Sequence, residues 1–371
     1  MREMIAAFRK LGHEIVLAAA DTSGDRRPDE DFEVVRLPCP KSRTLGLDGR
    51  YMLANMRARG VLREIADRFR PDAIYERTAL YFTAGEWLER QTGLPRILEI
   101  NALLAEEQRS RLHFPSMAAR QEARVLRNSR ATSAISECLK KMIVNLQVDP
   151  NTIRLFPMAV DPTRFRLSPE PNFRRRELGW PDDVTVIGYV GSMNTYHRPN
   201  WFMDLAEKML RRDEKSIRFI VVGGSAVKVQ RHRSRLYKYV EKGLVHFCGT
   251  VPQSEMVSWL SCMDVILVPG AAPQATPTKI YETASVGRSL IAPATDPIIE
   301  LCGADAPNLF TPNDFNSLEE RVREFLNSRT KFDDFAVKLR EKVTTVHTWE
   351  NNATGLVNWF QELGAKPRVW K

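Results

Sequence analysis

Cysteine and histidine are scarce in this sequence and nowhere clustered. The chain has 371 residues, of which five are cysteines and six are histidines. No C-x-x-C pair and no histidine pair with metal-binding spacing occurs, so the sequence predicts neither a disulfide framework nor a zinc site. We therefore expect reduced thiols and no bound metal.

Long hydrophobic runs are also missing. No apolar stretch approaches the roughly 18–20 residues that a membrane-spanning helix requires. The first residues lack the profile of a secretory signal, so we expect a cytoplasmic protein. At 371 residues the chain exceeds the usual size of a single hydrophobic core, which favours two domains.

Positive charge is in excess, with a formal net charge of +9. Such an excess favours anionic partners, for example phosphorylated ligands or anionic lipid. One basic cluster is interleaved with apolar residues: Arg109, Arg111, Leu112, Phe114, Met117, Arg120, Arg124, Leu126, Arg127 and Arg130. This mixture indicates either a solvated charged face or a helix in peripheral contact with an anionic membrane. We do not expect nucleic acid as a partner, because the aromatic interleaving typical of RNA-binding platforms is missing. The sequence indicates no oligomeric state.

Strands and helices alternate along the whole chain. A first series runs from a helix at 1–11 to a strand at 153–156, and a second from a strand at 184–190 to a helix at 348–363. Such alternation predicts βαβ units with parallel strands. We predict an α/β protein with two doubly wound, Rossmann-like domains. In such sheets ligands bind beyond the carboxyl ends of the strands, which favours an interdomain cleft as the site.

The segment from Thr276 to Glu282 carries the most informative local pattern. Thr276 suits an N-cap and Pro277 the first helical position, and Lys279 and Glu282, three residues apart, share one helix face. An ammonium and free N–H groups at a helix start can bind a diphosphate. A carboxylate one turn further can accept hydrogen bonds from a ribose diol. The alternative is an ordinary surface helix with an ion pair.

Three glycine-containing turns follow other predicted strands of the second series, at Gly191, Gly223 and Gly249. Together with the helix start at Thr276, they resemble the C-terminal half of the GT-B-fold glycosyltransferases of family 4, which are retaining and use sugar nucleotides. Motifs similar to those of this family extend over nearly the whole chain, at 74–77, 98–107, 134–137, 157–161, 247–269, 276–291 and 349–350.

The resemblance implies a domain organisation. An acceptor-binding domain would span 1–165, a donor-binding domain 166–345, and a final helix in 346–371 would cross back to the first domain. The family begins with a strand and a glycine-rich turn before the helix at 1–11. We therefore expect the true start of the protein to lie upstream of Met1.

The resemblance also implies roles for individual residues. Those implied to bind the donor are Gly191, Ser192, Arg198, Gly223, Thr250, Val251, Gln274, Pro277, Lys279 and Glu282. The implied catalytic residues are His197, Asn101 and Glu106, and those on the acceptor side are Glu76 and Glu99.

The implied reaction transfers a sugar from a nucleoside-diphosphate sugar to a glycan or lipid-linked acceptor, in glycan, polysaccharide or glycolipid synthesis at the inner membrane face. No cofactor is implied, because the sugar nucleotide is a co-substrate. Two other activities remain open. A nucleotide-sugar epimerase has the same architecture and would need carboxylates such as Glu99 and Glu106 converging on the donor sugar. A degenerate, non-catalytic binding protein is the other, because Gln274 replaces an acidic residue usual in the family.

Overall fold

The chain forms two compact units. A computed structural model describes residues 1–20, 32–40, 46–212 and 215–365. Unit 1 comprises Met1–Pro157 and the segment from Trp349 onward, and unit 2 comprises Met158–Thr348. Each unit is built on parallel strands connected by helices, which confirms the predicted α/β class with two Rossmann-like halves.

The first unit ends at Pro157, before the predicted boundary at residue 165. The residues between these two positions pack with unit 2. Phe165 is buried in the core of unit 2, and its carbonyl oxygen accepts a hydrogen bond from the Ser285 hydroxyl. The closing segment joins unit 1 from Trp349 rather than from residue 346.

Unit 1 begins with a helix and then alternates strands with helices. Its elements before the boundary are α1 Arg2–Lys10, β1 Val16–Ala19, β2 Glu33–Arg36, α2 Gly46–Phe69, β3 Ile74–Arg77, α3 Ala84–Thr92, β4 Arg96–Ile100, α4 Leu104–Glu107, α5 Pro115–Arg127, β5 Thr132–Ala134, α6 Glu137–Val144 and β6 Ile153–Leu155. In the described residues β1 pairs with β2, and a second parallel sheet has the order β3-β4-β5-β6.

Unit 2 continues the alternation. Its elements are α7 Phe173–Glu177, β7 Thr185–Val190, α8 Pro199–Leu210, β8 Ile217–Val222, α9 Ala226–Arg235, α10 Tyr237–Glu241, β9 Val245–Gly249, α11 Met256–Ser261, β10 Val265–Leu267, α12 Thr278–Ser285, β11 Ser289–Pro293, α13 Asp296–Cys302, β12 Leu309–Phe310, α14 Phe315–Asn327 and α15 Arg329–Thr345. The last helix of the chain, α16 Trp349–Glu362, belongs to unit 1.

The sheet of unit 2 is parallel and has the order β12-β11-β10-β7-β8-β9. The chain proceeds outward from β7 to β9 and then returns to place β10 on the other side of β7. The strand order therefore reverses between β7 and β10, and at such a switch point a crevice opens at the carboxyl ends of the strands. The central strands β7 and β8 are buried nearly throughout, as expected when helices cover both faces of a parallel sheet.

The core of unit 1 is closed by α16, which packs against α1. Met4 and Phe8 of α1, Ile97 of β4, and Trp359 and Phe360 of α16 share one hydrophobic cluster. Within the described residues no helix has both the length and the hydropathy to cross a bilayer.

Glu76, which the sequence analysis expects on the acceptor side, is buried in unit 1. The side chains of β3 alternate, so Glu76 points away from the face that carries Tyr75 and Arg77. Its carboxylate is 9% exposed and accepts a hydrogen bond of 2.9 Å from the buried Arg96 guanidinium. Burial raises the pKa of Glu76, and Arg96 opposes that shift. Glu76 therefore has a structural role.

Gly85 of α3 leaves room for this ion pair. A Cβ added at Gly85 would lie 1.9 Å from Glu76 Oε2, and the carboxylate cannot withdraw without breaking its bond to Arg96. We predict that Gly85→Ala lowers the free energy of unfolding by about 1–3 kcal/mol, as measured by urea denaturation. Gly60→Ala in α2 is the control, because an added Cβ there meets no atom within 4 Å and should stabilise by about 0.5–1 kcal/mol. Equal effects of the two substitutions would contradict this account.

Candidate functional site

The carboxyl ends of three strands of unit 2 carry turns that touch one another. Gly191 follows β7, Gly223 follows β8 and Gly270 follows β10. A Cβ added at Gly223 would lie 2.4 Å from the Gly191 carbonyl oxygen, and one added at Gly270 would lie 2.4 Å from the Tyr196 carbonyl oxygen. Only glycine permits backbones to approach this closely. The turns form one continuous backbone surface at the switch point of the sheet.

Lys279 of α12 projects into this surface. Its side chain is buried, with the residue 8% exposed, and Nζ donates a hydrogen bond of 2.8 Å to the Val190 carbonyl oxygen. Nζ would lie 2.9 Å from a Cβ at Gly191 and stands 5.2 Å from the centre of the Tyr189 ring. Burial lowers the pKa of Lys279 to about 8, and Glu282 opposes the shift. The site thus holds a desolvated ammonium that is still mostly protonated at pH 7.

The start of α12 lies one residue later than predicted. Thr276 is not the N-cap: it is buried, and its hydroxyl donates to the Pro297 carbonyl oxygen at 2.8 Å. The helix begins at Thr278, with Pro277 in the cap position and no side-chain cap among the described residues. The first N–H groups of α12, the helix that carries Lys279, are therefore available to an anion.

His197 lies in the turn after β7 and is held against the turn after β10. Its Nδ1 is 3.4 Å from the Gly270 carbonyl oxygen. Burial, and secondarily the charge of Lys279, lowers the pKa of His197 to about 4. The ring is therefore neutral at pH 7. With Nδ1–H donating to Gly270, Nε2 is left as an acceptor for a hydroxyl group.

Arg198 immediately precedes α8, in the N-cap position, and has a left-handed backbone conformation with φ 48°. Its guanidinium stacks over the Trp201 ring, 4.3 Å from the ring centre, and donates to the Asn313 side-chain oxygen. Arg198 is thus fixed beside the turn that contains His197.

Lys228 of α9 is a further cation at this edge, and the sequence interpretation missed it. Its Nζ donates 2.9 Å to the Asn194 side-chain oxygen and 3.3 Å to the Ser192 carbonyl oxygen. It bridges the helix after β8 to the turn after β7. A cation in the first turn of a helix opposes the helix dipole, and this was the signal in the sequence that could have identified it.

The other predicted donor residues lie around the same turns. The Thr250 hydroxyl donates 3.2 Å to the Gly224 carbonyl oxygen, which joins the turn after β9 to the one after β8. Val251, Gln274 and Glu282 are half-buried and Ser192 is exposed. The charge of Glu282 acts on Lys279, which fits their predicted common helix face.

Among the predicted residues of unit 1, Glu99 and Asn101 lie at the carboxyl end of β4, whereas Glu106 lies on α4. Glu99, at the end of β4, is buried and receives two hydrogen bonds from Arg77, of 2.8 and 3.0 Å. Asn101 follows it, and its side-chain oxygen is buried without a hydrogen-bond partner in the described structure. Glu106 is exposed on α4, 3.7 Å from Arg109. Asn101 is therefore the residue of this group with an unused polar atom beside the carboxyl edge of the sheet.

The lowered pKa of Lys279 predicts a pH dependence of stability. The unfolded chain keeps this proton up to about pH 10.5, whereas the folded protein loses it near pH 8. Between these values the unfolded state binds more protons, so raising the pH favours folding. We predict that the wild type gains up to about 3 kcal/mol relative to Lys279→Met between pH 8 and pH 10.5, measured by urea denaturation. Parallel pH profiles of the two proteins would contradict the buried ammonium.

Two protein-family models match the chain. The Glycosyl transferase 4-like domain matches residues 1–159, and the Glycosyl transferases group 1 domain matches residues 184–328. The 2-deoxystreptamine N-acetyl-D-glucosaminyltransferase of Streptomyces fradiae is 25% identical over 306 residues, which are 77% of this chain and 70% of that protein.

Solved structures share the fold. Sucrose-phosphate synthase from Thermosynechococcus elongatus has a TM-score of 0.80 at 17% identity, covering 98% of this chain and 92% of that one. Anabaena HepE in complex with UDP-glucose has a TM-score of 0.73 at 14% identity, covering 94% of this chain and 100% of that one. With the two family models, which together span more than half of the sequence, these findings show that the chain belongs to the GT-B-fold, family 4-like glycosyltransferases.

Proposed function

We propose that this protein transfers a sugar from a nucleoside-diphosphate sugar to an acceptor hydroxyl, with retention of the anomeric configuration. The observation that carries the proposal is the buried Lys279 ammonium, which lies against the Gly191 turn where strand ends converge. A desolvated cation beside glycine backbone and a helix start is a setting that binds phosphate groups. The named relative from Streptomyces fradiae is a sugar transferase, and HepE is seen with UDP-glucose.

The diphosphate is assigned to the surface formed by the turns. Lys279 and the first amides of α12 meet it from one side, and the backbone of Gly191 and Ser192 approaches from the other. Gly223 is required because a larger residue would displace Gly191. Lys228 holds the Ser192 turn in place. Positive charge is thus supplied by the protein, and the proposal requires no divalent cation.

The nucleoside is assigned to the neighbouring residues. Glu282, one turn beyond Lys279 on α12, accepts hydrogen bonds from the ribose diol. Thr250 and Val251, after β9, contact the base mainly through the backbone. Gln274 offers its side-chain amide to hydroxyls of the transferred sugar, in place of the acid usual in the family.

The chemistry follows from where charge develops. As the sugar leaves, negative charge grows on the diphosphate, and preorganised donors aimed at that charge stabilise the transition state; one such donor is worth about 10²–10³ in rate. Retention is assigned to a front-face reaction in which the leaving phosphate takes the proton of the incoming hydroxyl. The neutral His197 ring then accepts a hydrogen bond from a sugar hydroxyl and does not act as a charged acid.

The acceptor, a glycan or a lipid-linked sugar, is assigned to unit 1. Asn101 contributes its unpaired side-chain oxygen, and Glu99 with Arg77 forms a fixed ion pair beside it. Glu106, which is exposed, is assigned to the rim. An epimerase would require Glu99 and Glu106 to act as free acid and base, but each lies beside an arginine, so no observation favours that alternative.

A panel of nucleotides tests the proposal. We predict that one of UDP, GDP and ADP stabilises the protein by about 2.7 kcal/mol at 100 times its dissociation constant, measured by thermal shift. The corresponding sugar nucleotide, incubated with acceptor mixtures, should give a product with the donor's anomeric configuration by proton NMR. Activity should survive exhaustive treatment with a chelator, because cationic side chains neutralise the diphosphate.

Different failures identify different errors in the proposal. Inversion in the product would refute the front-face reaction, and loss of activity with the chelator would refute the cation assignment. Tight nucleotide binding with neither transfer nor hydrolysis would support the non-catalytic alternative. No response to any nucleoside diphosphate would refute the donor site itself.

A further inference from the structure

The start of α5 exposes apolar side chains between arginines. Phe114, which precedes the helix, is 59% exposed and Met117 is 42% exposed. Arg120 and Arg124 follow Met117 at spacings of three and seven residues and share its face of α5. Arg111 lies three residues before Phe114, at the end of the short 3₁₀ segment Arg109–Arg111. We call Arg111, Phe114, Met117, Arg120 and Arg124 the α5 surface.

The exposure of Phe114 is fixed by a buried hydrogen-bond network beneath it. Asp48 of α2 is 2% exposed and accepts hydrogen bonds from the Tyr81 hydroxyl at 2.6 Å and from the His113 backbone N–H at 2.8 Å. The Tyr81 hydroxyl also lies 3.3 Å from the Phe114 carbonyl oxygen. These hydrogen bonds hold the segment in a conformation that exposes the Phe114 side chain to solvent. Because the segment is already ordered, it loses little conformational entropy when it binds a partner.

The negative charge of α5 is turned inward. Its one carboxylate belongs to Glu122, which accepts hydrogen bonds from the backbone N–H groups of Leu104 at 2.7 Å and Ala105 at 3.2 Å. Glu122 thereby caps α4, and the charged side chains of the α5 surface are all arginines. In the described part of the chain Arg111 and Arg120 have no ion-pair partner, whereas Arg124 lies 3.6 Å from Glu86.

We propose that the α5 surface docks on an anionic lipid bilayer. Phe114 and Met117 would enter the interface between headgroups and acyl chains, and Arg111 and Arg120 would meet lipid phosphates. A purely polar polyanion would pair with the arginines but would leave the two apolar side chains without an apolar partner. A bilayer satisfies both, which is why the observations favour it.

The position of the surface connects docking with the acceptor. The chain passes from the carboxyl end of β4 through Asn101 directly into α4 and α5. Docking therefore brings the edge of unit 1 that we assign to the acceptor toward the lipid headgroups, which selects a lipid-linked acceptor. That selection rests on the proposed function, whereas docking itself does not.

Sedimentation with vesicles tests the docking. We predict binding to vesicles of 70% phosphatidylcholine and 30% phosphatidylglycerol and little binding to pure phosphatidylcholine. Arg111→Gln with Arg120→Gln should weaken binding about 30-fold, because each cation contributes about a factor of five. Phe114→Ser with Met117→Ser should weaken it at least about tenfold. Both double variants should keep the wild-type thermal unfolding midpoint, since the substituted side chains are exposed.

Helix α9 supplies matched controls, because it is also basic and carries an apolar residue, Val227, that is 81% exposed. Val227→Ser and the pair Arg231→Gln with Arg233→Gln should leave vesicle binding unchanged. Hydrogen exchange gives a measurement free of substitutions: residues 109–120 should gain protection on anionic vesicles, and residues 226–235 should not.

Three outcomes would overturn the proposal. They are equal binding to neutral and anionic vesicles, equal losses in the α5 and α9 variants, and binding to heparin or single-stranded nucleic acid without vesicle binding. Nucleotide affinity, measured on the same variants in solution, separates the two hypotheses: vesicle binding that persists in a protein without nucleotide affinity would leave docking standing and refute the donor site alone.

Discussion

The central constraint in this protein is the close approach of backbone turns around a buried ammonium at the carboxyl edge of unit 2. Gly223 lets its turn touch Gly191, and Gly191 in turn leaves space for the Lys279 side chain. The ammonium satisfies one hydrogen bond with the Val190 carbonyl oxygen and loses much of its hydration, which lowers its pKa. Each feature of the proposed donor site depends on this arrangement: the amides, the neutral His197 and the charge of Glu282 all surround the same point.

Much of the fold could be predicted from the sequence, because the central strands of a parallel sheet are continuous apolar runs. The strands predicted at 153–156 and 184–190 are β6 Ile153–Leu155 and β7 Thr185–Val190, each within one residue at either end. Short elements could not be predicted from the sequence. α7 has five residues and β12 two, which is too few for a periodic pattern to develop. The strand and turn expected upstream of Met1 stay a prediction. The described structure shows only that β1–β2 and β3–β6 form separate sheets.

Residues of the candidate site could be predicted where they lie at the end of a strand or the start of a helix. They were harder to predict where contacts with residues distant in the sequence determine their positions. Lys279 and Gly191 could be identified because a glycine turn and a helix start are visible as patterns. The ion pair of Glu76 could not be foreseen because its partner Arg96 is 20 residues away, a distance no local pattern spans. Thr276 looked like an N-cap, yet its hydroxyl turns to a carbonyl of another helix. Lys228 was missed although a cation in the first turn of a helix is unusual, because its acceptors Ser192 and Asn194 lie 36 and 34 residues away in the sequence.

The most direct test of the central claim is the affinity of nucleoside diphosphates for a protein that lacks the ammonium and the nearby carboxylate. Calorimetric titration of UDP, GDP and ADP into the wild type and into Lys279→Ala with Glu282→Ala isolates both groups. Two lost charge-assisted hydrogen bonds, at about 1.5–3 kcal/mol each, should reduce the affinity for the preferred nucleotide at least about 100-fold. Unchanged affinity in a correctly folded double variant would contradict the account.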